Sequence, residues 1–316
     1  MYFVTGATGF IGSSLVRALT DRGDRVRALC RSVPDLPEGA DGVAGDLLDP
    51  DSVRTAMRGC TRVFHLAAHA RAGGPTETYE RINVGGTQNI IDAARHHGCE
   101  RVVFTSTCAT LGPSNGEVHD ETNIKDGPWF TPYERTKRLA EDLALESGLD
   151  AILVHPSRVF GPGPLTPSNS VTRLVDLYRR GLFRFSLGDG SSIGNYVFVS
   201  DVVDGHLAAM ARGRSGERYL LAGENASLRQ FLDRVGECTG RPRTIVGVPP
   251  GLVRRLALLE ERRASWTGGS PMISADHVDR FLANYAFTTA KAEAELGYAP
   301  RSLSRGIRQT LDWLDA

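Results

Sequence analysis

The run Thr5-Gly6-Ala7-Thr8-Gly9-Phe10-Ile11-Gly12 decides the fold. It follows a short apolar segment, Tyr2–Thr5, of buried-strand length, and opens into a helical pattern over Ser13–Arg22. Glycines at this spacing between a strand and a helix have a physical reason. The turn is tight, the backbone must come close to a pyrophosphate, and the helix must pack closely on the sheet. The phosphates then rest on free N–H groups at the positive end of the helix. The run reads as a dinucleotide site built on Gly6, Gly9 and Gly12.

Outward from this turn, apolar runs at Arg25–Cys30, Arg62–Leu66, Arg101–Ser106 and Ala151–His155 alternate with helical stretches at Asp51–Met57, Thr87–His97 and Tyr133–Glu146. In Thr87–His97, Ile90, Ile91 and Ala94 share a face and Gly98 ends the helix. Repeated βα units with short links predict an α/β fold of the Rossmann type, a doubly wound parallel sheet with right-handed crossovers. After Gly161 the pattern changes. A Pro/Gly/Ser loop runs from Gly161 to Ser170 and a helix follows at about Val171–Arg180. A strand-like Tyr196–Val199 leads into a helix opened by Ser200 or Asp201 as N-cap and running to about Arg212. The expected division is a dinucleotide-binding domain over 1–160, rejoined by about 195–220, and a smaller mixed C-terminal substrate lobe over 161–316. Gly268-Gly269-Ser270-Pro271 reads as a mobile loop.

Composition narrows the class. The 316 residues are 41% hydrophobic and 23% charged, the balance of a soluble globular protein. Lys+Arg and Asp+Glu are 37 each, so no net field favours nucleic acid or a membrane surface. The five cysteines are scattered without a CxxC pair, which argues against a disulfide framework or a metal site and for a reducing compartment. No leader pattern is seen, and no apolar run approaches the roughly 18–20 residues of a spanning helix. The expectation is a cytoplasmic protein with a small-molecule substrate. Lysine occurs only at 125, 137 and 291, so each lysine draws attention.

Cofactor choice turns on the end of the second strand. An Asp or Glu some twenty residues past the first glycines binds the ribose 2′-hydroxyl in NAD enzymes. Here Cys30-Arg31-Ser32 stands there, and Asp35 lies too far past Pro34 to substitute. A guanidinium pairs bidentately with a 2′-phosphate and stacks on adenine, which favours NADP(H) over NAD. Asp46, in Gly45-Asp46-Leu47, could reach the adenine amino group or could cap the helix after Asp49-Pro50-Asp51. Both uses stay open.

Tyr133-Glu134-Arg135-Thr136-Lys137 puts Tyr133 and Lys137 on one face of a helix. A tyrosine near pKa 10 is a poor acid/base at neutral pH, and a nearby ammonium favours its phenolate. Thr105-Ser106-Thr107-Cys108 ends the fifth strand, where the carboxyl ends of parallel strands face the ligand crevice. A hydroxyl there can hold a carbonyl or alcohol, and Cys108 reads mainly as a small packed residue.

These residues carry a resemblance over nearly the whole chain. TGATGFIG, GDL, HLAA (Leu66–Ala68 with His65), INVGGT (Ile82–Thr87), TSTCATLG, YERTK and PSRVFGPG (Pro156–Gly163) occur in the order and spacing of the extended short-chain dehydrogenase/reductases, the NAD-dependent epimerase/dehydratase family. The resemblance implies that Tyr133 is the acid/base and that Lys137 tunes it while binding the nicotinamide ribose. It places Thr107 as the catalytic hydroxyl, Ala67 and Ala68 along the adenosine–nicotinamide cleft, Asn83 as a support, and Pro156 and Ser157 beside the carboxamide. It further implies cofactor contacts at Thr8, Phe10, Ile11, Leu47, Leu66 and Val159.

Departures from subfamily patterns narrow the chemistry. The Thr-Asp-Glu of sugar dehydratases is replaced by Thr107-Cys108-Ala109, so no acid and base for eliminating water is evident. The arginine that nucleotide-sugar epimerases carry before the segment matching Asn195-Tyr196-Val197 is Gly194 here, and Arg173, Arg184 or Arg301 would have to replace it. RALCRS, FTSTCATLG and NYVFVSDVVDGHLAAM look most like dihydroflavonol-reductase-like and hopanoid-associated sugar epimerase-like members. The favoured reading is an NADP(H)-dependent oxidoreductase of a ketone/secondary-alcohol pair. The alternatives are an NAD-dependent nucleotide-sugar epimerase and a non-catalytic cofactor sensor. His69, Cys108 and Asn195 are substrate-side candidates, with Asn115, Tyr178 and Arg301 nearby in the reading. Ala70–Thr76, Asn115–Phe130 and Gly161–Ser170 could close as lids, and a homodimer through the helices at Thr87–His97 and Tyr133–Ser147 is implied by resemblance.

Overall fold

Short runs of β-branched and aromatic residues make the strands of the first half, and amphipathic segments make the helices that cover them. The computed structural model describes residues 1–33, 36–70, 74–125, 127–165, 169–267 and 275–316. In chain order, β1 (Tyr2–Thr5), α1 (Phe10–Asp21), β2 (Val26–Cys30), β3 (Ala40–Ala44), α2 (Pro50–Met57) and β4 (Arg62–His65) come first. Then α3 (Thr76–Tyr79), a wide turn of π-helix at Glu80–Gly85 and α4 (Gly86–His97) form one helical segment. It begins eleven residues before the apolar periodicity at Thr87, because the π turn shifts the residue phase that the sequence pattern follows. Gly98 ends it in the left-handed region at φ 61°. β5 (Arg101–Thr105), α5 (Pro132–Glu146) and β6 (Ala151–Pro156) complete the alternation.

All seven strands of the main sheet run parallel in the order β3-β2-β1-β4-β5-β6-β10, with β10 (Arg218–Leu221) on the outer edge. Leu15, Val16 and Leu19 of α1 and Val202 and Val203 of α7 (Val199–Arg212) cover one face. Val53 and Met57 of α2, Ile90 and Ile91 of α4 and Ala144 of α5 cover the other. Each fully buried aliphatic side chain of this kind contributes about 1.5–3 kcal/mol.

The rest of the chain builds the lobe above the carboxyl ends of the strands. β7 (Arg158–Phe160), α6 (Ser170–Arg179), β8 (Phe185–Leu187), β9 (Ile193–Phe198), β11 (Glu224–Ser227), α8 (Leu228–Thr239) and β12 (Val246–Val248) belong to it. So do α9 (Pro250–Thr267), α10 (Ala275–Leu282) and α12 (Leu303–Asp315). β7 and β11 flank β9 in a mixed three-stranded sheet, and β12 pairs with β8. The chain crosses between the two layers more than once. Besides α7 and β10, α11 (Ala290–Leu296) returns to the main sheet, where Ala292, Leu296 and Tyr298 join its core.

One local expectation is corrected. Helix α7 begins at Val199 with extended Phe198 before it, so neither Ser200 nor Asp201 is its N-cap. Asp201 is buried in the first turn, where a carboxylate also suits the helix dipole. Its oxygens accept from the Arg301 backbone N–H at 2.9 Å and from the Arg301 guanidinium at 2.8 Å. A distant cation has claimed the side chain that local pattern assigned to capping. Asp35 and Gly268–Pro271 lie outside the described residues, as do 71–73, 126 and 166–168 of the three lid segments. Among the described residues no helix is long and apolar enough to cross a membrane.

Candidate active site

The glycine turn is locked by backbone contacts. Gly6 sits at φ +72°, and a Cβ on it would lie 2.8 Å from Ala67 N. A Cβ on Gly12 would lie 2.0 Å from the Gly6 carbonyl oxygen, so only glycine lets α1 start this close to the turn. Gly9, as N-cap, brings no side-chain acceptor to the first amides of α1. Those amides stay free for an anion. At the far end of β2, Arg31 is exposed and has no hydrogen bond or ion pair among the described residues. Asp46 is also exposed, but its Oδ1 accepts from Leu48 N at 2.9 Å. The cap of α2 is Asp49, which accepts from Asp51 N at 3.0 Å, so the capping alternative for Asp46 is removed. Leu47 packs against Gly86, where an added Cβ would meet Leu47 Cδ2 at 2.6 Å.

Behind the crest of the sheet runs a buried chain of polar groups. Ala67 N–H donates to Thr5 Oγ1 at 3.2 Å, and Thr5 Oγ1 lies 2.7 Å from His65 Nδ1. His65 Nε2 lies 3.1 Å from Thr87 Oγ1, whose hydroxyl donates to the Asn83 carbonyl at 2.6 Å. Burial and the Lys137 ammonium push His65 down to about 3. The Asn83 amide accepts from His69 N at 2.7 Å and donates to Thr136 Oγ1 at 3.0 Å. Both ends of Asn83 are therefore spent inside the protein. It straps the His69 segment to α5, a supporting role. The His69 ring stands edge-on to Tyr79 at 4.6 Å rather than serving as a free substrate contact.

On α5, Thr131 caps the helix through Glu134 N, which fixes the phase of Tyr133 and Lys137. Lys137 Nζ donates to the Thr105 carbonyl at 2.7 Å, and burial pulls it down to about 8. Burial pushes Tyr133 up to about 12, against the pull of the Arg280 guanidinium and of the neighbouring Thr107 hydroxyl. Thr107 thus meets Tyr133, as the chemistry requires, and also caps the short helical turn at Cys108–Leu111 through Ala109 N at 3.3 Å. The Cys108 thiol is pushed up to about 12 by burial and packs beside Leu111, Leu220, Ala222, Tyr285 and Phe287. It stays a protonated packing group.

Pro156 ends β6, and the next hydroxyl, Ser157 Oγ, is buried without a hydrogen-bond partner. A buried polar atom left open in this way calls for a partner, and a bound group would supply one. The uncapped amides of α1 at one end of the crest and Ser157 at the other fit a dinucleotide with its phosphates on α1 and its carboxamide at Ser157. Leu66, Ala67 and Ala68 follow β4 along that crest, and Val159 lies on β7.

With this geometry in place, comparison with known proteins is direct. The pattern of the family described as "NAD dependent epimerase/dehydratase family" matches residues 2–222. The chain belongs to that family. A protein called sterol demethylase protein B from Methylococcus capsulatus is 34% identical, covering 98% of this chain and 97% of the relative. A putative dihydroflavonol 4-reductase from Synechocystis is 35% identical over 99% of this chain and 94% of its own. A 2-alkyl-3-oxoalkanoate reductase from Stenotrophomonas maltophilia is 31% identical over 97% of both. Among solved structures, gox2253 superposes with TM-score 0.84 at 33% identity, over 100% of this chain and 98% of that one. The chain is an extended short-chain dehydrogenase/reductase and an enzyme of that class.

On the substrate side, several of the expected contacts are spent inside the protein. Asn195 is buried and its amide is spent on Gly223 (3.0 and 2.8 Å) and Asn225 (2.8 Å), so it holds the small sheet together instead of facing a ligand. Tyr178 is buried with its hydroxyl taken by Arg243 N at 2.9 Å. Asn115 occupies an exposed turn at φ 48°. Arg301 is committed to Asp201 and stacks over Phe198 at 4.3 Å. Arg173 is exposed, and Arg184 donates to the Gly181 carbonyl at 2.9 Å.

Residues that sequence reasoning missed converge on Tyr133 instead. Arg280 of α10 pairs with fully buried Glu134 at 2.9 Å. Burial raises the Glu134 carboxyl, opposed by Arg280 and Lys125. The Tyr285 hydroxyl is buried and unpartnered. Beneath Lys137, buried Glu141 accepts from Ser106 and lies 3.1 Å from His155 Nε2 and 3.5 Å from Arg218 Nε. Burial raises its carboxyl, but His155 and the hydrogen bonds from Ser106 and Thr110 outweigh burial and hold it down at about 2. Glu134 and Glu141 share α5 with Tyr133 and Lys137, whereas Arg280, Tyr285 and Arg218 are brought there only by the fold and have no spacing in the sequence that announces them.

Proposed function

We propose that the protein is an NADP(H)-dependent reductase or dehydrogenase of a ketone/secondary-alcohol pair on a small molecule. The observation that carries the reading is the pairing of Tyr133 with the neighbouring Thr107 hydroxyl, near the crest of the sheet where Ser157 leaves a buried hydroxyl open. The bound dinucleotide supplies a hydride to the carbonyl carbon, or takes one back. Thr107 holds the carbonyl oxygen and Tyr133 gives it a proton as the carbon–oxygen double bond becomes a single bond. Burial keeps the Tyr133 hydroxyl protonated at neutral pH, the form that serves reduction. Lys137, whose Nζ donates to the Thr105 carbonyl, would hold the nicotinamide ribose on the same helix face as that hydroxyl. Arg31, exposed and unpaired past β2, supports the choice of NADP(H) through a 2′-phosphate. The names of two relatives, a putative dihydroflavonol 4-reductase and a 2-alkyl-3-oxoalkanoate reductase, agree with this direction.

The test is stopped-flow absorbance at 340 nm with NADPH and a panel of ketones. Consumption of NADPH with one equivalent of alcohol formed supports the reading. Epimerisation of a nucleotide sugar by protein that purifies with NAD, without net oxidation of added NADPH, would overturn it.

A further inference from the structure

Helix α9 turns its small residues inward and its large apolar ones outward. Ala257 and Ala264 are buried, whereas Leu252, Leu256 and Leu259 are more than half exposed and Trp266 is 91% exposed. With about 3.6 residues per turn, the three leucines and Trp266 share one arc, opposite the two alanines. The apolar surface continues on neighbouring elements. Phe185 of β8 and Val246 of β12 are direct cross-strand partners, and both are exposed. A Cβ on Gly188, just past β8, would lie 3.7 Å from Pro250 of α9 and from Leu282 of α10, and Phe281 beside Leu282 is exposed as well. Of the fifteen large apolar side chains exposed among the described residues, nine lie between Leu182 and Phe281. That concentration is a patch, unlike the single exposed residues any surface carries.

Charge is sorted across the same helix. Arg255, Arg262 and Arg263 stand exposed on the outward arc among the leucines, while Glu260 and Glu261 are half-buried toward the alanine side. The chain as a whole has no net charge, yet residues 241–282 hold seven arginines against four carboxylates. Arg254 pairs with Asp279 of α10 at 3.2 Å and Arg263 with Glu260, which still leaves the outward arc with a positive excess.

This pattern discriminates between occupants. In a dry protein contact, each arginine among the leucines would lose its water and need a carboxylate opposite. A second copy would not supply one, because a two-fold contact sets the face against itself and arginine meets arginine. A bilayer surface satisfies both kinds of residue. Leucine and tryptophan enter at the acyl boundary, the arginine stems lie along them, and the guanidiniums rise to the phosphates.

We infer that α9 lies flat on an anionic phospholipid bilayer, with the Phe185–Val246 pair and Phe281 completing the docking face. The helix lies in the surface and does not cross it. Docking brings the bilayer beside the catalytic helix, because Arg280, next to Phe281, pairs with Glu134 of α5 at 2.9 Å. The inference stands apart from the reductase reading, since binding alone reports it.

The experiment floats the intact chain on a density gradient with vesicles of phosphatidylcholine and phosphatidylglycerol, and with vesicles of phosphatidylcholine alone. The mixed vesicles should carry the protein, with partition at least about tenfold weaker on phosphatidylcholine and weakened by added salt. Leu256→Ser combined with Leu259→Ser should lower partition on the mixed vesicles by at least about tenfold. Arg255→Gln should lower it by about fivefold, the worth of one charge near such a surface. Tryptophan emission should shift to the blue on the mixed vesicles. That shift should vanish in Trp266→Phe, although Trp129 and Trp313 remain. If the double leucine variant loses its helical circular dichroism, Arg255→Gln and the Trp266 emission decide. Absence of flotation with the mixed vesicles overturns the inference, as does flotation that a folded double variant retains in full. A dimer in solution that the two leucine substitutions dissociate assigns the face to a second copy and overturns it too.

Discussion

The cofactor half and the substrate lobe are built by different means. The cofactor site is made mostly of backbone: the Gly6 carbonyl against α1, the uncapped amides of that helix, and the strand ends of one parallel sheet. The substrate side is made of charged and hydroxyl side chains on segments far apart in sequence, such as Glu134 of α5 paired with Arg280 of α10. A backbone site tolerates almost no change at its glycines but accepts varied side chains around them. A side-chain site can be rewritten one residue at a time without disturbing the sheet beneath it. The lesson is that chemistry and specificity are held by separable parts of this molecule.

That contrast can be broken at several points. The largest effect is expected from Tyr133→Phe, which removes the proton donor and should lower kcat on the order of 10³-fold. Equilibrium binding of NADPH should change by less than about twofold, and retained turnover would take Tyr133 out of its role. Gly12→Ala should strike the other half. A Cβ there meets backbone that has no side chain to swing aside, so urea unfolding should show a loss of about 3 kcal/mol, with weaker cofactor binding. Stability within error of the unaltered protein would mean that α1 can shift away from the turn.

Arg31→Ser sharpens the comparison from the cofactor side. It should reduce the ratio of NADPH to NADH use by about tenfold through loss of a charge-assisted contact, with NADH turnover unchanged. A ratio that does not move would assign the cofactor preference elsewhere. The smallest effect belongs to Glu141, the buried carboxylate under the catalytic helix. Its folded-state pKa near 2 is below the ordinary 4.5. Its stabilisation is therefore complete above the ordinary value and fades as pH falls from about 4.5 toward 2. Urea titrations at descending pH should show the stability gap between the unaltered protein and Glu141→Gln closing over that window. A gap constant with pH would mean that burial, not pairing, sets the carboxyl.

What was legible in the sequence follows the same divide. Each of β1, β2, β4, β5 and β6 is a local apolar run, and the Gly6–Gly12 turn and the Tyr133–Lys137 pair are local spacings, so one-dimensional pattern reports them. Thr107 was legible because strand ends face the crevice. Arg280 was not, since 147 positions separate it from Tyr133 and its own helix gives no sign of where it folds. Asn195 and Arg301 misled for the complementary reason. Polar residues near a pocket in sequence are often claimed by partners arriving from elsewhere, here Gly223 with Asn225, and Asp201. Asp201 failed as an N-cap because a tertiary ion pair outweighed a local cap worth about 1 kcal/mol.

The polar chain behind the crest has one more consequence. Thr87 donates its only hydroxyl proton to the Asn83 carbonyl, so toward His65 it can only accept, and His65 Nε2 must carry the hydrogen. Nδ1 then bears the lone pair and takes the Thr5 hydroxyl proton, which leaves Thr5 Oγ1 an acceptor for Ala67 N–H. The sequence of donors runs one way from the fourth strand's exit to the helix behind the active site, with a single tautomer permitted at its centre. The imidazole nitrogens of His65 should therefore give two well-separated ¹⁵N resonances that stay fixed across the neutral range. That pair of lines is a built-in gauge of whether the nucleotide floor and the helix carrying Tyr133 are joined.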